Sequence, residues 1–109
     1  PMFRGILSTT YVDLNKGMTI NSLHNELVKF YKKSKFIKIL KKNSLMSTND
    51  VVNTNNCIIS ICKSKYNNKA IILSSIDNLI KGGAGQAVQN MNILFNFNVK
   101  EGLRWKESF

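Results

Sequence analysis

An α+β fold, with four or five mainly antiparallel strands in a mixed sheet and two helices on one face, is predicted by three observations. The run Ala70-Ile71-Ile72-Leu73-Ser74-Ser75-Ile76 is apolar and β-branched between polar turns, the mark of a largely buried strand. A second apolar stretch, 57–63, precedes it by a five-residue connection of hairpin length with an Asn67-Asn68 tip. Two other segments carry apolar residues at helical spacing.

Each element follows in chain order. Residues 2–14 read as a long strand, with Ile6, Ser8, Thr10 and Val12 on one face and Leu7, Thr9, Tyr11 and Asp13 on the other. Arg4-Gly5 near its start stands out: glycine interrupts the β pattern, and arginine offers a planar fork suited to phosphate or carboxylate, or else a solvated charge. Asn15, Lys16 and Gly17 make a turn. A helix follows with Asn21 as its expected N-cap, Leu23, Leu27, Phe30 and Tyr31 as its apolar stripe, and lysines gathered at its C-terminal end where they suit the helix dipole. His24 in its first turn has no Ser, Cys or carboxylate placed to work with it, so an exposed structural histidine is expected. Residues 36–40 form a short strand, and 41–56 a polar loop rich in Ser, Thr and Asn. Neither of the strands 57–63 and 69–76 alternates cleanly, which predicts cover on both faces, by helices on one side and another subunit or domain on the other.

A length of 109 residues allows one small domain and leaves no room for a nucleotide-binding domain beside it. The net charge of +10 raises a polyanion as partner. The lysines are scattered, however, and Phe30, Tyr31, Phe36 and Phe95 fall on predicted core faces, which disfavours stacking on nucleic-acid bases. No run has transmembrane length or the pattern of a signal peptide, so no membrane partner and a reducing, cytoplasmic location are expected. Cys57 and Cys62, five apart on one strand, would face opposite sides and remain small unbridged core residues. With one histidine in the chain, no metal site is expected.

The stretch from Asp77 to Asn90, DNLIKGGAGQAVQN, organises the rest. It turns a strand into a helix whose predicted inner face is Ala84, Ala87, Val88, Met91, Leu94 and Phe95. Its glycines either permit close packing or leave free N–H groups at the helix start for an anion or a carboxamide. The spacing is neither a Walker loop nor G-x-G-x-x-G, so it leaves the ligand open.

The string DNLIKGGAGQAVQNMN, with PMFRGILSTTYV at the start and TNNC in the middle, resembles the C-terminal part of the N-acetyl-γ-glutamyl-phosphate reductases, within the aspartate-semialdehyde and glyceraldehyde-phosphate dehydrogenase superfamily. The likeness covers about residues 1–98, which it identifies as a portion of the catalytic and dimerisation domain; 99–109 is a tail to which it assigns nothing. It implies NADPH-dependent reduction of N-acetylglutamyl phosphate in arginine biosynthesis, through a cysteine thioester. No residue of this chain is the catalytic cysteine or histidine, so these 109 residues alone are expected to be inactive. The partners implied are a small-molecule acyl phosphate, NADP(H), a nucleotide-binding domain and further copies in a homodimer or homotetramer. By the same resemblance Arg4 anchors the substrate's phosphate or carboxylate, and Asn78 contacts the nicotinamide carboxamide. Lys81, Gly82, Gly83 and Gly85 shape the wall beside it, Gln86 and Asn90 are structural, and the loop containing TNNC lies near a subunit interface. A basic nucleic-acid-binding module and a non-catalytic oligomerisation module are the alternatives.

Overall fold

The computed structural model describes residues 2–107 and 109. Strand β1 is Ile6–Asp13, helix α1 Ile20–Tyr31, β2 Ile37–Ile39, β3 Cys57–Lys63, β4 Lys69–Ile76 and α2 Gly85–Leu94. A 3₁₀ turn at Thr48–Asp50 interrupts the long loop, and a π-type turn at Ile80–Ala84 leads into α2. The four strands form one sheet in the order β1-β4-β3-β2. β4 is antiparallel to both β1 and β3, and β2 is parallel to β3, so the sheet is mixed and mainly antiparallel as expected.

β1 is shorter than the predicted 2–14. Gly5 has φ +106, a conformation that turns residues 2–5 out of the ladder and that a Cβ would oppose. The helix α1 begins at Thr19 rather than Asn21: the Thr19 hydroxyl accepts from the Ser22 N–H at 3.2 Å, and the Ser22 hydroxyl accepts from the Thr19 N–H at 2.8 Å. Two hydroxyls three residues apart close both ends of this box, which a lone Asn21 cannot do. Asn21 instead accepts from the Lys42 ammonium.

The core is small. Phe36, Val51, Ile58, Ile61 and Ala70 are its fully buried apolar residues among those described. Ile58 and Ile61 point to opposite faces of β3, so this strand is covered on both sides, and each isoleucine stabilises the fold by roughly 1.5–3 kcal/mol. α1 lies against β2 and β3. It leaves Phe30 exposed, in a T-shaped contact with Tyr31 at 4.9 Å between ring centres. His24 is half-buried rather than exposed, its Nε2 donating to the Leu40 carbonyl at 2.9 Å and tying α1 to the end of β2. Cys57 and Cys62 are unbridged, as expected, but half-buried rather than core.

The second helix departs furthest from the sequence reading. Its buried residues are Gly85 and Asn92, while Ala84, Ala87, Met91, Leu94 and Phe95 are exposed. Asn92 turns inward because its amide donates to the carbonyls of Val99 at 3.4 Å and Glu101 at 2.9 Å, as the chain doubles back past the helix. The tail is thereby part of the structure. Its Arg104 carbonyl accepts from the Asn55 N–H at 2.7 Å, and the Asn56 amide exchanges two bonds with the Lys106 backbone. Trp105 receives the Lys100 ammonium over its ring at 3.3 Å.

Candidate functional site

The sheet register builds the site. Ile6 is opposite Ile76 across β1 and β4, so the residues just before β1 and just after β4, Arg4-Gly5 and Asp77-Asn78, meet at one end of the sheet. The loop before β3 brings Asn53 to the same place.

Asp77 is the centre of this cluster and has no solvent exposure. Its Oδ1 accepts from the N–H groups of Leu79 at 2.9 Å and Ile80 at 3.0 Å, a local turn that the Asp-Asn-Leu-Ile order favours. Its Oδ2 accepts from the Asn53 N–H at 2.8 Å and lies 3.0 Å from Nη2 of Arg4, which also approaches Oδ1 at 3.1 Å. Burial by itself works to raise this carboxyl, but the donors from Asn53, Leu79, Ile80 and Arg4 outweigh it and hold the group below the usual carboxylate range. The carboxylate form is therefore the one the fold selects.

Arg4 spends its other fork on Asn53 Oδ1 at 2.7 Å and lines a shallow groove with Met2, Phe3, Thr48, Asn49 and Val52. Its Nε is buried with no hydrogen-bond partner among the described residues. Asn78 accepts from the Gly5 N–H through Oδ1 at 2.7 Å, which fixes the polarity of its amide and turns the NH₂ end toward other acceptors. Such a donor fits a carboxamide carbonyl or a phosphate oxygen.

Beyond Asn78, the backbone N–H groups expected to be free at the helix start are largely used. Gly82 N–H donates to the Asp77 carbonyl, Ala84 N–H to that of Leu79, and Gly85 N–H to those of Gly83 and Ile80. The π-type turn, broken at Gly83, consumes the donors that a helix terminus would otherwise present. Lys81 is half-buried: its Nζ donates to Gln89 Oε1 at 2.8 Å and sits 5.4 Å from the centre of the Phe36 ring. Burial pushes the Lys81 ammonium down and Cys57 counters this; burial pushes the Cys57 thiol up and Lys81 counters that. Gly82 and Gly83 are exposed beside Asn78, whereas Gly85 faces inward. A Cβ on Gly85 would stand 2.5 Å from Asn55 Oδ1 and 2.6 Å from Ile80 Cγ2.

The structure thus brings Arg4, Asn78, Gly82 and Gly83 to one corner, with Lys81 beside them and Gly85 behind. Gln89, which accepts from both Lys81 and Asn55 at 2.8 Å, and Asn53 have no role in the sequence reading, and Asn55 and Asn56 enter it only within TNNC. Their signal was the density of asparagine in a loop, which equally describes a solvated turn. Gln86 and Asn90 bond to each other along α2. The largest cavity described, about 580 Å³ at the β2 edge between Lys38, Leu40, Leu45 and Phe109, contains none of the corner residues.

The polar corner lies at the end of a sheet whose outer strand β1 carries exposed apolar side chains, and a family match falls on the same region. The model of the semialdehyde dehydrogenase dimerisation domain matches residues 1–78, and the chain belongs to that family. Among individual proteins, the N-acetyl-gamma-glutamyl-phosphate reductases of Thermoanaerobacter pseudethanolicus and Clostridium kluyveri are 46% and 47% identical to it over 103 residues, and that of Staphylococcus aureus strain MRSA252 is 43% identical over 104. These alignments take in 94–95% of this chain but 30% of each reductase, so the chain spans about a third of the length of the relatives it matches. No helix among the described residues is long and apolar enough to cross a membrane.

Proposed function

We propose that this chain is the C-terminal part of an NADPH-dependent reductase that converts N-acetylglutamyl 5-phosphate to N-acetylglutamate 5-semialdehyde in arginine biosynthesis. The observation that carries the reading is the corner itself, in which one buried carboxylate sets an arginine and an asparagine amide side by side, within a chain 43–47% identical to named reductases. Residues 1–98 would belong to the catalytic and dimerisation domain, with 99–109 as its tail.

In this reading Arg4 anchors the anionic end of the acyl phosphate, its guanidinium fixed in place by Asp77 and Asn53. Asn78 donates from its NH₂ to the carboxamide of the cofactor and so orients the nicotinamide ring, with Lys81, Gly82 and Gly83 as the adjoining wall and Gly85 seating Asn55 behind it. NADPH, when bound, would supply the hydride. The nucleophilic cysteine and the acid-base histidine would come from outside this chain, since burial keeps Cys57 protonated and His24 is engaged with Leu40. Exposed apolar residues on β1 (Ile6, Leu7, Tyr11) and on α2 (Met91, Leu94, Phe95) are suited to contacts with a nucleotide-binding domain and with further copies in a homodimer or homotetramer. A cytoplasmic location goes with such chemistry.

The test is a chimera joining this chain to the N-terminal portion of the Thermoanaerobacter relative. NADPH oxidation that depends on N-acetylglutamyl phosphate is expected from the chimera and not from the 109 residues alone; a folded but inactive chimera would overturn the reading. Phe30 and Phe95 are exposed, against expectation, but Phe30 packs on Tyr31, Phe95 stacks on Phe97, and Phe36 is buried. Salt-dependent retention on a nucleic-acid column without any response to NADP would favour the nucleic-acid-binding alternative.

A further inference from the structure

We infer that Asp77 is the positioning residue of this site, a single buried carboxylate that sets the substrate anchor and the cofactor contact in register with each other. The inference rests on the reading of Arg4 and Asn78 given above and adds how the two are held. Both oxygens of Asp77 meet the Arg4 guanidinium. Oδ1, 3.1 Å from Arg4 Nη2, also binds the N–H groups of Leu79 and Ile80 and so closes the backbone around Asn78 from the C-terminal side. Oδ2 binds Asn53 N–H and Arg4 Nη2, which fixes the guanidinium, and Asn53 Oδ1 takes the second fork of the same arginine.

The loop closes through Gly5. Its N–H donates to Asn78 Oδ1, and it is reached from Arg4 by one peptide bond, so Asp77, Arg4, Gly5 and Asn78 form a ring of contacts through two strand ends. Gly5 alone permits this turn: besides its φ of +106, an added Cβ would stand 2.5 Å from Thr48 Cβ. Moving either side chain of the site therefore requires breaking a bond to Asp77 or to its neighbours. The carboxylate itself is wholly buried, with its oxygens engaged by Arg4 and by backbone N–H groups. It acts by geometry: an error of about 1 Å between two reacting partners can cost on the order of a hundredfold in rate.

The experiment measures KM for N-acetylglutamyl phosphate and for NADPH separately in the active chimera. Asp77→Asn keeps one acceptor for Leu79 and Ile80 but opposes the Asn53 N–H and Arg4 with an NH₂ group. It is expected to raise both KM values by about tenfold or more and to lower kcat/KM by about a hundredfold. Arg4→Ala should raise the KM of the acyl phosphate alone, and Asn78→Ala that of NADPH alone. A merely structural role would lower the thermal midpoint and the active fraction while leaving both KM values of the folded enzyme unchanged, and that result overturns the inference. Should Asp77→Asn not fold, Asp77→Glu keeps the charge and displaces it by one methylene; a rise in both KM values supports the inference and unchanged values overturn it. If Arg4→Ala and Asn78→Ala leave both KM values untouched, the reading of the site has failed; if they act as stated while the Asp77 variants do not, only the positioning role has.

Discussion

The interior and the outer faces of this molecule distribute polarity in opposite ways. Asn55, Asn56, Asp77 and Asn92 are wholly or almost wholly buried, while Ile6 and Leu7 on β1, Met91 and Leu94 on α2, and Phe95 at its C-cap face outward. The difference teaches what each region is for. Most of these buried polar groups find partners: the Asn55 N–H and the Asn56 carboxamide hold the tail, the Asn55 Nδ2 donates to Gln89, Asn92 holds the turn after α2, and Asp77 joins three loops. Such bonds specify one arrangement, at the cost of leaving any lost partner stranded. The outward apolar residues make no comparable demand on the chain itself; they suit a surface that is covered when the domain associates.

The sharpest way to break this contrast is Asp77→Ala. It strands the Arg4 guanidinium and three backbone donors, so a loss of about 3–5 kcal/mol in urea-unfolding free energy is expected, enough to unfold a small domain. Gly85→Ala comes next. The new Cβ must displace Asn55 and Ile80, and a loss of about 1–3 kcal/mol is expected even though alanine is the better helix former.

A smaller effect is a dependence on acid. Since the folded Asp77 carboxyl lies below its unfolded value of about 3.9, its contribution is fully present above that pH and is lost as pH falls through the folded value. Urea titrations of the wild type and Asp77→Asn at descending pH should therefore show the gap between them narrowing below about pH 4; a gap that stays constant would remove the ionic account of the corner. The least effect is expected on the outer apolar face. Leu94→Ser, on a residue 75% exposed, should change the stability of the isolated chain by no more than about 0.5 kcal/mol. In the assembled chimera the same change should weaken association, read as a shift in native mass or a lower midpoint; equal behaviour in both settings would mean that nothing covers this face.

Local signals in the sequence were sufficient for most elements. The hairpin of β3 and β4, the short β2 and the polar corner at Asp77 follow from β-branched runs, turn residues and an aspartate placed to cap the N–H groups two and three residues on. The capping box of Thr19 and Ser22 was also there to be read, and Asn21 drew attention from it because asparagine is a good cap by itself. The faces of the helices were another matter. Periodicity marks an apolar stripe but does not say which stripe meets the sheet, and in α2 the polar side won because Asn92 could satisfy two carbonyls there.

What the sequence by itself determined is thus the set of strands and helices, the mixed α+β class and the Arg4-Gly5 and Asp77-Asn78 pairs as places of interest, because these depend on neighbours along the chain. Only the tertiary structure decided that the two pairs meet, since that rests on the register of Ile6 against Ile76, and that Asn55, Asn56, Asn92 and Asp77 lie inside while Phe30, Phe95 and Phe97 lie outside. A polar group is buried where its partners happen to converge, and at Asp77 two of them, Asn53 and Arg4, come from 24 and 73 positions away, a distance over which local pattern carries no information.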